Sequence, residues 1–142
     1  MSRSGPILVI EDDEDDREIV ESIFRELNVP NERVYCANSP DAVAWLLKAE
    51  TPPFLILSDM NLPGMNGAQL KQLVNGVEAL RKKAIPFIFL TTTAERTAVE
   101  EAYEEMSQGF FEKPTTMDGF RDLLRMIVAY WKACKHPNSG WA

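Results

Sequence analysis

Ile7-Leu-Val-Ile10 is an unbroken apolar run, closed by Glu11 and Asp12 and followed by apolar residues at Ile19, Val20, Ile23, Phe24 and Leu27. A short apolar run without polar alternation reads as a strand buried on both faces. The i, i+3, i+4 recurrence after it reads as an amphipathic helix, so the segment predicts the opening half of a strand-helix-strand unit.

Outward from it the alternation repeats. Asn28-Val-Pro-Asn31 reads as a turn, Arg33 to Ala37 as a short second strand, and Ser39-Pro40 as the N-cap and first position of a helix reaching about Glu50. Thr51-Pro-Pro53 breaks that helix; Phe54-Leu-Ile-Leu57 is a second wholly apolar strand, leaving through Ser58-Asp59 into a loop with Pro63, Gly64 and Gly67. A third helix should carry Leu70, Leu73, Val74, Val77 and Leu80 on one face. Pro86-Phe-Ile-Phe-Leu90 predicts another buried strand ending in Thr91-Thr-Thr93, and a helix from Glu95 to about Met106 follows, with Thr92 and Glu95 at capping-box spacing. Gly109 to Glu112 reads as a fifth strand ending at Lys113-Pro114, before a last helix from about Thr116 to Ala133 that places Phe120, Leu123, Leu124, Ile127, Val128 and Trp131 on one stripe. Five strands alternating with five helices predict an α/β domain: a doubly wound, flavodoxin-like (βα)5 fold whose five-stranded parallel sheet has the order 2-1-3-4-5. Residues 1–134 are expected to form that domain and 135–142 a short tail.

At 142 residues there is room for one core, and 45% hydrophobic with 26% charged residues is a globular, soluble composition. No apolar run approaches the roughly 20 residues of a membrane span, and after Arg3 no signal-peptide apolar region follows, so a cytoplasmic location is expected. Cys36 and Cys134 lack disulfide-framework or zinc-ligand spacing. A net charge of −7 argues against direct nucleic-acid binding and for protein partners or a metal cation.

In open parallel sheets ligands bind beyond the carboxyl ends of the strands. Glu11 and Asp12, Asp59, Thr91 and Lys113 fall there: three acids, a hydroxyl and an amine at one edge, none of them needed for a core. Crowded carboxylates call for a raised pKa or a bound cation, and an all-oxygen donor set suits magnesium. A carboxylate beside magnesium, with an amine and a hydroxyl opposite, supplies the nucleophile and the positive charge that phosphoryl transfer needs.

The segments Ile7-Leu-Val-Ile-Glu11-Asp12-Asp13, Leu57-Ser-Asp59-Met-Asn61-Leu-Pro63-Gly-Met-Asn-Gly67, Phe89-Leu-Thr91 and Glu112-Lys113-Pro114 resemble, in this order, the motifs of two-component response-regulator receiver domains. The resemblance is to single-domain, chemotaxis-regulator-like members. The resemblance implies Asp59 as phospho-acceptor and magnesium held by Asp12, Asp59 and the backbone carbonyl of Asn61, with Glu11 acting largely through water. It implies Lys113 on the phosphoryl oxygens, Thr91 as a mobile switch hydroxyl and Phe110 as a rotating aromatic switch. Asn61 and Thr93 resemble positions that set the phosphoryl lifetime, and the Lys113-Pro114 bond is expected cis, as in the family. Thr92 and Asn66 depart from the family's usual smaller and acidic residues.

Asp13 to Asp16 read as a solvated acidic helix start that complements the helix dipole. His136, the sole histidine, lies in the polar tail and offers no triad. The predicted fourth helix is acidic at Glu95, Glu100, Glu101, Glu104 and Glu105, while the last helix and its tail carry Arg121, Arg125, Lys132 and Lys135; these read either as two solvated faces or, as in many receivers that the chain resembles, as a symmetric dimer through the fourth helix, fifth strand and fifth helix with opposite charges paired across it. Tyr130, Trp131 and Trp141 could anchor that or another partner surface.

The function expected is that of a regulatory phospho-acceptor, not an enzyme. A sensor histidine kinase or phosphotransfer protein supplies the phosphoryl, and the altered surface acts on a downstream protein, since no output domain is evident. Two alternatives remain: a pseudo-receiver used only for binding, which would normally have lost an acid, Thr91 or Lys113, and a magnesium-dependent aspartyl-phosphate phosphotransferase, which would need a second acid where Asn61 stands.

Overall fold

The computed structural model describes residues 4–62, 64–81, 84–92, 100 and 108–134. In chain order these form β1 (Ile7–Ile10), α1 (Glu14–Glu26), β2 (Arg33–Cys36), α2 (Ser39–Lys48), β3 (Leu55–Ser58), α3 (Gly67–Gly76), a single turn α4 (Glu78–Arg81), β4 (Phe87–Thr91), β5 (Gly109–Glu112) and α5 (Met117–Ala133). The five strands make one sheet in the order β2-β1-β3-β4-β5, every pair parallel, as the alternation of elements predicts. The helix predicted over residues 95–106, Glu100 apart, and the tail 135–142 lie outside the described residues.

The strand runs are apolar without alternation because both faces are covered. On one face Ile7, Val9, Leu55, Leu57, Ile88 and Leu90 meet Val20, Ile23 and Phe24 of α1 and Phe120, Leu124 and Ile127 of α5. On the other, Leu8, Ile10, Ile56, Phe87 and Phe89 meet Ala42 and Leu46 of α2 and Leu70 and Val74 of α3. Phe110 and Phe111 follow the same period: Phe111 packs into the first cluster and Phe110 into the second.

Four local expectations are corrected. The N-cap of α2 is Asn38, whose side chain accepts from the Asp41 N–H, so Ser39 and Pro40 are already helical. The third helix does not run through to Leu80. It stops at Gly76, where Val77 turns extended, and one separate turn carries Leu80 back into the core; glycine, the weakest non-proline helix former, marks the break. Leu73, expected inward, is exposed, because the face defined by Leu70 and Val74 points away from it. The Lys113-Pro114 peptide is trans, there being no cis bond among the described residues. Trans is the lower-energy isomer by about 0.5–1 kcal/mol, and Lys113 reaches its partners from it.

Candidate functional site

The register aligns the carboxyl ends of the strands, and one further ladder step fixes the residues that leave them. Glu11 N–H donates to the Cys36 carbonyl (3.0 Å), Asp59 N–H to the Ile10 carbonyl (2.9 Å) and Lys113 N–H to the Thr91 carbonyl (2.7 Å). Glu11, Asp59, Thr91 and Lys113 are therefore held on backbone tied to the sheet, which suits a site needing fixed geometry.

Each flanking turn is stabilised by the site's own neighbours. Asp13 caps α1, its side chain accepting from Asp15 and Asp16 N–H, and Asp13 N–H donates to a Glu11 carboxylate oxygen at 3.1 Å. Arg17 Nη1 donates to the Glu11 carbonyl at 2.7 Å. Beyond β3, Asn61 N–H donates to Asp59 Oδ1 (3.0 Å), closing a tight turn. Asn66 and Gln69 form a reciprocal capping box that starts α3. Gly67 begins that helix directly beneath the acceptor: a β-carbon there would lie 2.7 Å from the Asp59 carbonyl oxygen and 2.6 Å from the Phe89 ring.

Glu11, Asp12 and Asp59 each bring a carboxylate oxygen to within 4.8 Å of the others. Glu11 is buried, Asp59 half-buried and Asp12 exposed, so the group opens to solvent on one side. Lys113, its side chain 7% exposed, places Nζ 2.5 Å from Glu11 Oε2, 2.9 Å from Asp16 Oδ2 and 3.4 Å from Asp59 Oδ2. Burial holds the Glu11 carboxyl well above the ordinary range, against the pull of the Lys113 hydrogen bond and charge. Burial alone would lower Lys113, but hydrogen bonds to Asp16 and Glu11 and the charge of Asp59 outweigh it and hold the ammonium above its usual value. Lys113 is accordingly a permanent cation here.

Thr91 is fully buried at the end of β4, and Asn61 Nδ2 donates to its Oγ1 at 3.3 Å. Phe110 is half-buried, its ring centroid 6.1 Å from that of Phe89. The structure thus gathers Glu11, Asp12, Asp59, Asn61, Thr91 and Lys113, and sets Phe110 against Phe89 on the face that carries α2 and α3. Thr93 lies outside the described residues.

Asp16 was not expected at the site. Its sequence neighbourhood looks like an acidic helix start, and that is half of what it is. The available signal was its place in the first turn of α1, which starts just beyond the β1 end that carries Glu11.

Oxygen donors from converging acids fit a hard divalent cation, and the opposed ammonium and hydroxyl fit an anion beside it. No helix among the described residues is long and apolar enough to cross a membrane.

The model of the response regulator receiver domain family matches residues 7–125. Chemotaxis protein CheY of Pseudomonas aeruginosa is 28% identical over 122 residues, covering 85% of this chain and 94% of its own. Among solved structures, the phosphorylated cyanobacterial phytochrome response regulator RcpA superposes with a TM-score of 0.80 at 22% identity, over 90% of this chain and 94% of that one. The receiver domain of a sensor histidine kinase from Pseudomonas aeruginosa PAO1, with magnesium coordinated in its active-site cleft, gives a TM-score of 0.74 at 23% identity, over 91% and 98%. With its motifs, its sheet order and the match over most of its length in agreement, the chain belongs to the response-regulator receiver domains of two-component signalling.

Proposed function

We propose that Asp59 accepts a phosphoryl group from a histidine phosphodonor, in a magnesium-dependent reaction, and that the resulting change at Thr91 and Phe110 alters a partner-binding surface. The observation that carries the proposal is the convergence of Glu11, Asp12 and Asp59 opposite the buried Lys113 ammonium. Asp12 and Asp59, the Asn61 backbone carbonyl and, through water, Glu11 would hold the cation. When bound, magnesium neutralises charge on the phosphoryl oxygens.

The chain's own residues do the rest. A carboxylate oxygen of Asp59 attacks phosphorus and forms the new P–O bond; the donor's P–N bond breaks, its electron pair leaving with the imidazole nitrogen, which takes up a proton. Lys113 supplies fixed positive charge to an equatorial oxygen, and Thr91 supplies a hydroxyl from the neighbouring strand. By the family resemblance, Asn61 and Thr93 would set the lifetime of the acyl phosphate. Phe110, half-buried with its ring centroid 6.1 Å from that of Phe89, is the aromatic that changes position.

The protein is thus a regulatory phospho-acceptor that catalyses its own phosphorylation and dephosphorylation. Its partners are a sensor histidine kinase or phosphotransfer protein and a downstream protein, with residues 1–134 as the receiver and 135–142 as a tail. A homodimer through the predicted fourth helix, β5 and α5, with no direct nucleic-acid contact, and a cytoplasmic location belong to the same reading.

Phosphoramidate, a small P–N donor, provides the test. With magnesium it should add one phosphoryl group to the wild-type protein by intact mass and none to Asp59→Asn. Absence of any wild-type adduct, together with no beryllofluoride binding, would replace this reading with a protein-binding pseudo-receiver.

A further inference from the structure

Lys113 is held by three carboxylates, and the three are not equivalent. An ammonium has three N–H donors and no acceptor, so Glu11, Asp16 and Asp59 use its full donor capacity. Nζ sits closer to Glu11 and Asp16, at 2.5 and 2.9 Å, than to Asp59, at 3.4 Å. The cation is therefore drawn toward α1, away from the residue that takes the phosphoryl group. A phosphoryl on Asp59, carrying close to two negative charges, needs at least one of those N–H groups.

Which carboxylate yields follows from their other duties. Glu11 and Asp59 belong to the acidic group that converges on one point, and Asp16 does not. With a cation occupying Glu11, Asp16 remains as the Lys113 partner outside the acidic group. It is also the most exposed of the three, its side chain 28% accessible, at the edge of a cleft of about 360 Å³ lined by Thr92, Pro114, Thr115 and Thr116. Its backbone is fixed, because Asp16 N–H donates to the capping side chain of Asp13 at 3.2 Å. Asp16 therefore pulls on Lys113 from a fixed point on the first turn of α1.

We propose that Asp16 is a positioning residue that holds Lys113 toward α1 and away from Asp59 in the unphosphorylated protein, and so lowers the reactivity of Asp59 toward small phosphodonors. The inference rests on the receiver reading above and deepens it. It assigns to α1 a residue that limits the reaction while touching neither metal nor phosphoryl.

The test uses the full chain with acetyl phosphate at saturating magnesium. Phosphorylation is followed by intact mass across a range of donor concentrations for wild type, Asp16→Asn, Asp16→Ala and Asp16→Glu. In this reaction Asp59 forms its P–O bond as the P–O bond to acetate breaks, the electron pair leaving with acetate. Loss of a partly exposed charge-assisted hydrogen bond should raise the ratio of limiting rate to half-saturating donor about 5-fold in Asp16→Asn and Asp16→Ala, and Asp16→Glu should restore the wild-type value. Beryllofluoride should bind the Asn and Ala variants tighter by a similar factor. A gain in both readouts cannot come from a loosened fold, which would lower them. Wild-type or slower phosphorylation in Asp16→Asn, with its urea midpoint unchanged, would overturn the proposal while leaving the receiver reading intact. Failure of the wild-type protein itself to take up phosphoryl would overturn both.

Discussion

Replacing Gly67 with alanine should damage the fold and the acceptor loop together. The added β-carbon would sit 2.6 Å from Phe89 Cε1, 2.7 Å from the Asp59 carbonyl oxygen and 3.1 Å from Met60 Cα. The shortest of these is roughly 1 Å inside an ordinary carbon–carbon contact. Two of the three opposing atoms are backbone and cannot rotate aside, and Gly67 N–H is itself tied to the Met60 carbonyl at 2.8 Å. Overpacking of this kind costs about 1–3 kcal/mol, and the immobile neighbours place it near the upper end. Alanine's higher helix propensity returns at most about 1 kcal/mol, leaving a net loss of about 2 kcal/mol. Gly76, at the other end of α3, is the internal control: a β-carbon there meets nothing within 4 Å. Urea unfolding of Gly67→Ala should show a lower midpoint at unchanged slope, whereas Gly76→Ala should match wild type or exceed it. Equal or greater stability of Gly67→Ala would refute the claim that α3 is docked on the Asp59 backbone through the absence of a side chain.

Other consequences follow from the charges. Glu21 receives Arg33 on both carboxylate oxygens, at 3.0 and 2.7 Å, and Tyr35 Oη at 2.7 Å; the Arg33 hydrogen bond, helped by that of Tyr35 and opposed by burial, brings its carboxyl down to about 2. A folded-state value below the unfolded one stabilises above the unfolded pKa and is lost as pH falls through the folded pKa. Wild type should therefore exceed Glu21→Gln by roughly 1–2 kcal/mol at pH 7, the solvent around the pair screening part of the shift, with the gap closing between about pH 4.5 and pH 2 in chemical denaturation; a pH-independent gap would disprove the assignment. Magnesium at 100 times its dissociation constant should stabilise the protein by about 2.7 kcal/mol. Asp12→Asn should need a severalfold higher concentration for the same thermal shift, and an unchanged titration would remove Asp12 from the metal set.

What the sequence disclosed, and what it hid, divides along physical lines. Ile7–Ile10 and Leu55–Leu57 are legible as strand residues because burial on both faces leaves no polar residue among them; Glu11 and Thr91 stand out as the first polar groups after such runs, and Asp59 and Lys113 follow one residue later, after Ser58 and Glu112. Phe110 and Phe111 could not be assigned to faces until β5 was registered on β4, since period two separates the pair without saying which is which. Gly76 could be read either as a tolerated interior glycine or as a stop, and only packing of Leu80 decides it. Asp16 was concealed by a rule that is correct. Acids do favour helix starts, and the rule has no means of showing that one of them also reaches Lys113, 97 residues away in the chain.

The claim at the centre is that Asp59, among the crowded acids, is the one that carries the phosphoryl group. After phosphorylation with acetyl phosphate and magnesium, borohydride reduction converts an aspartyl phosphate to homoserine, which peptide mass spectrometry locates. The account predicts homoserine at position 59 and nowhere else, dependent on magnesium. Reduction at position 12 or 13 instead, or no reduced residue in protein shown by intact mass to be phosphorylated, would contradict it.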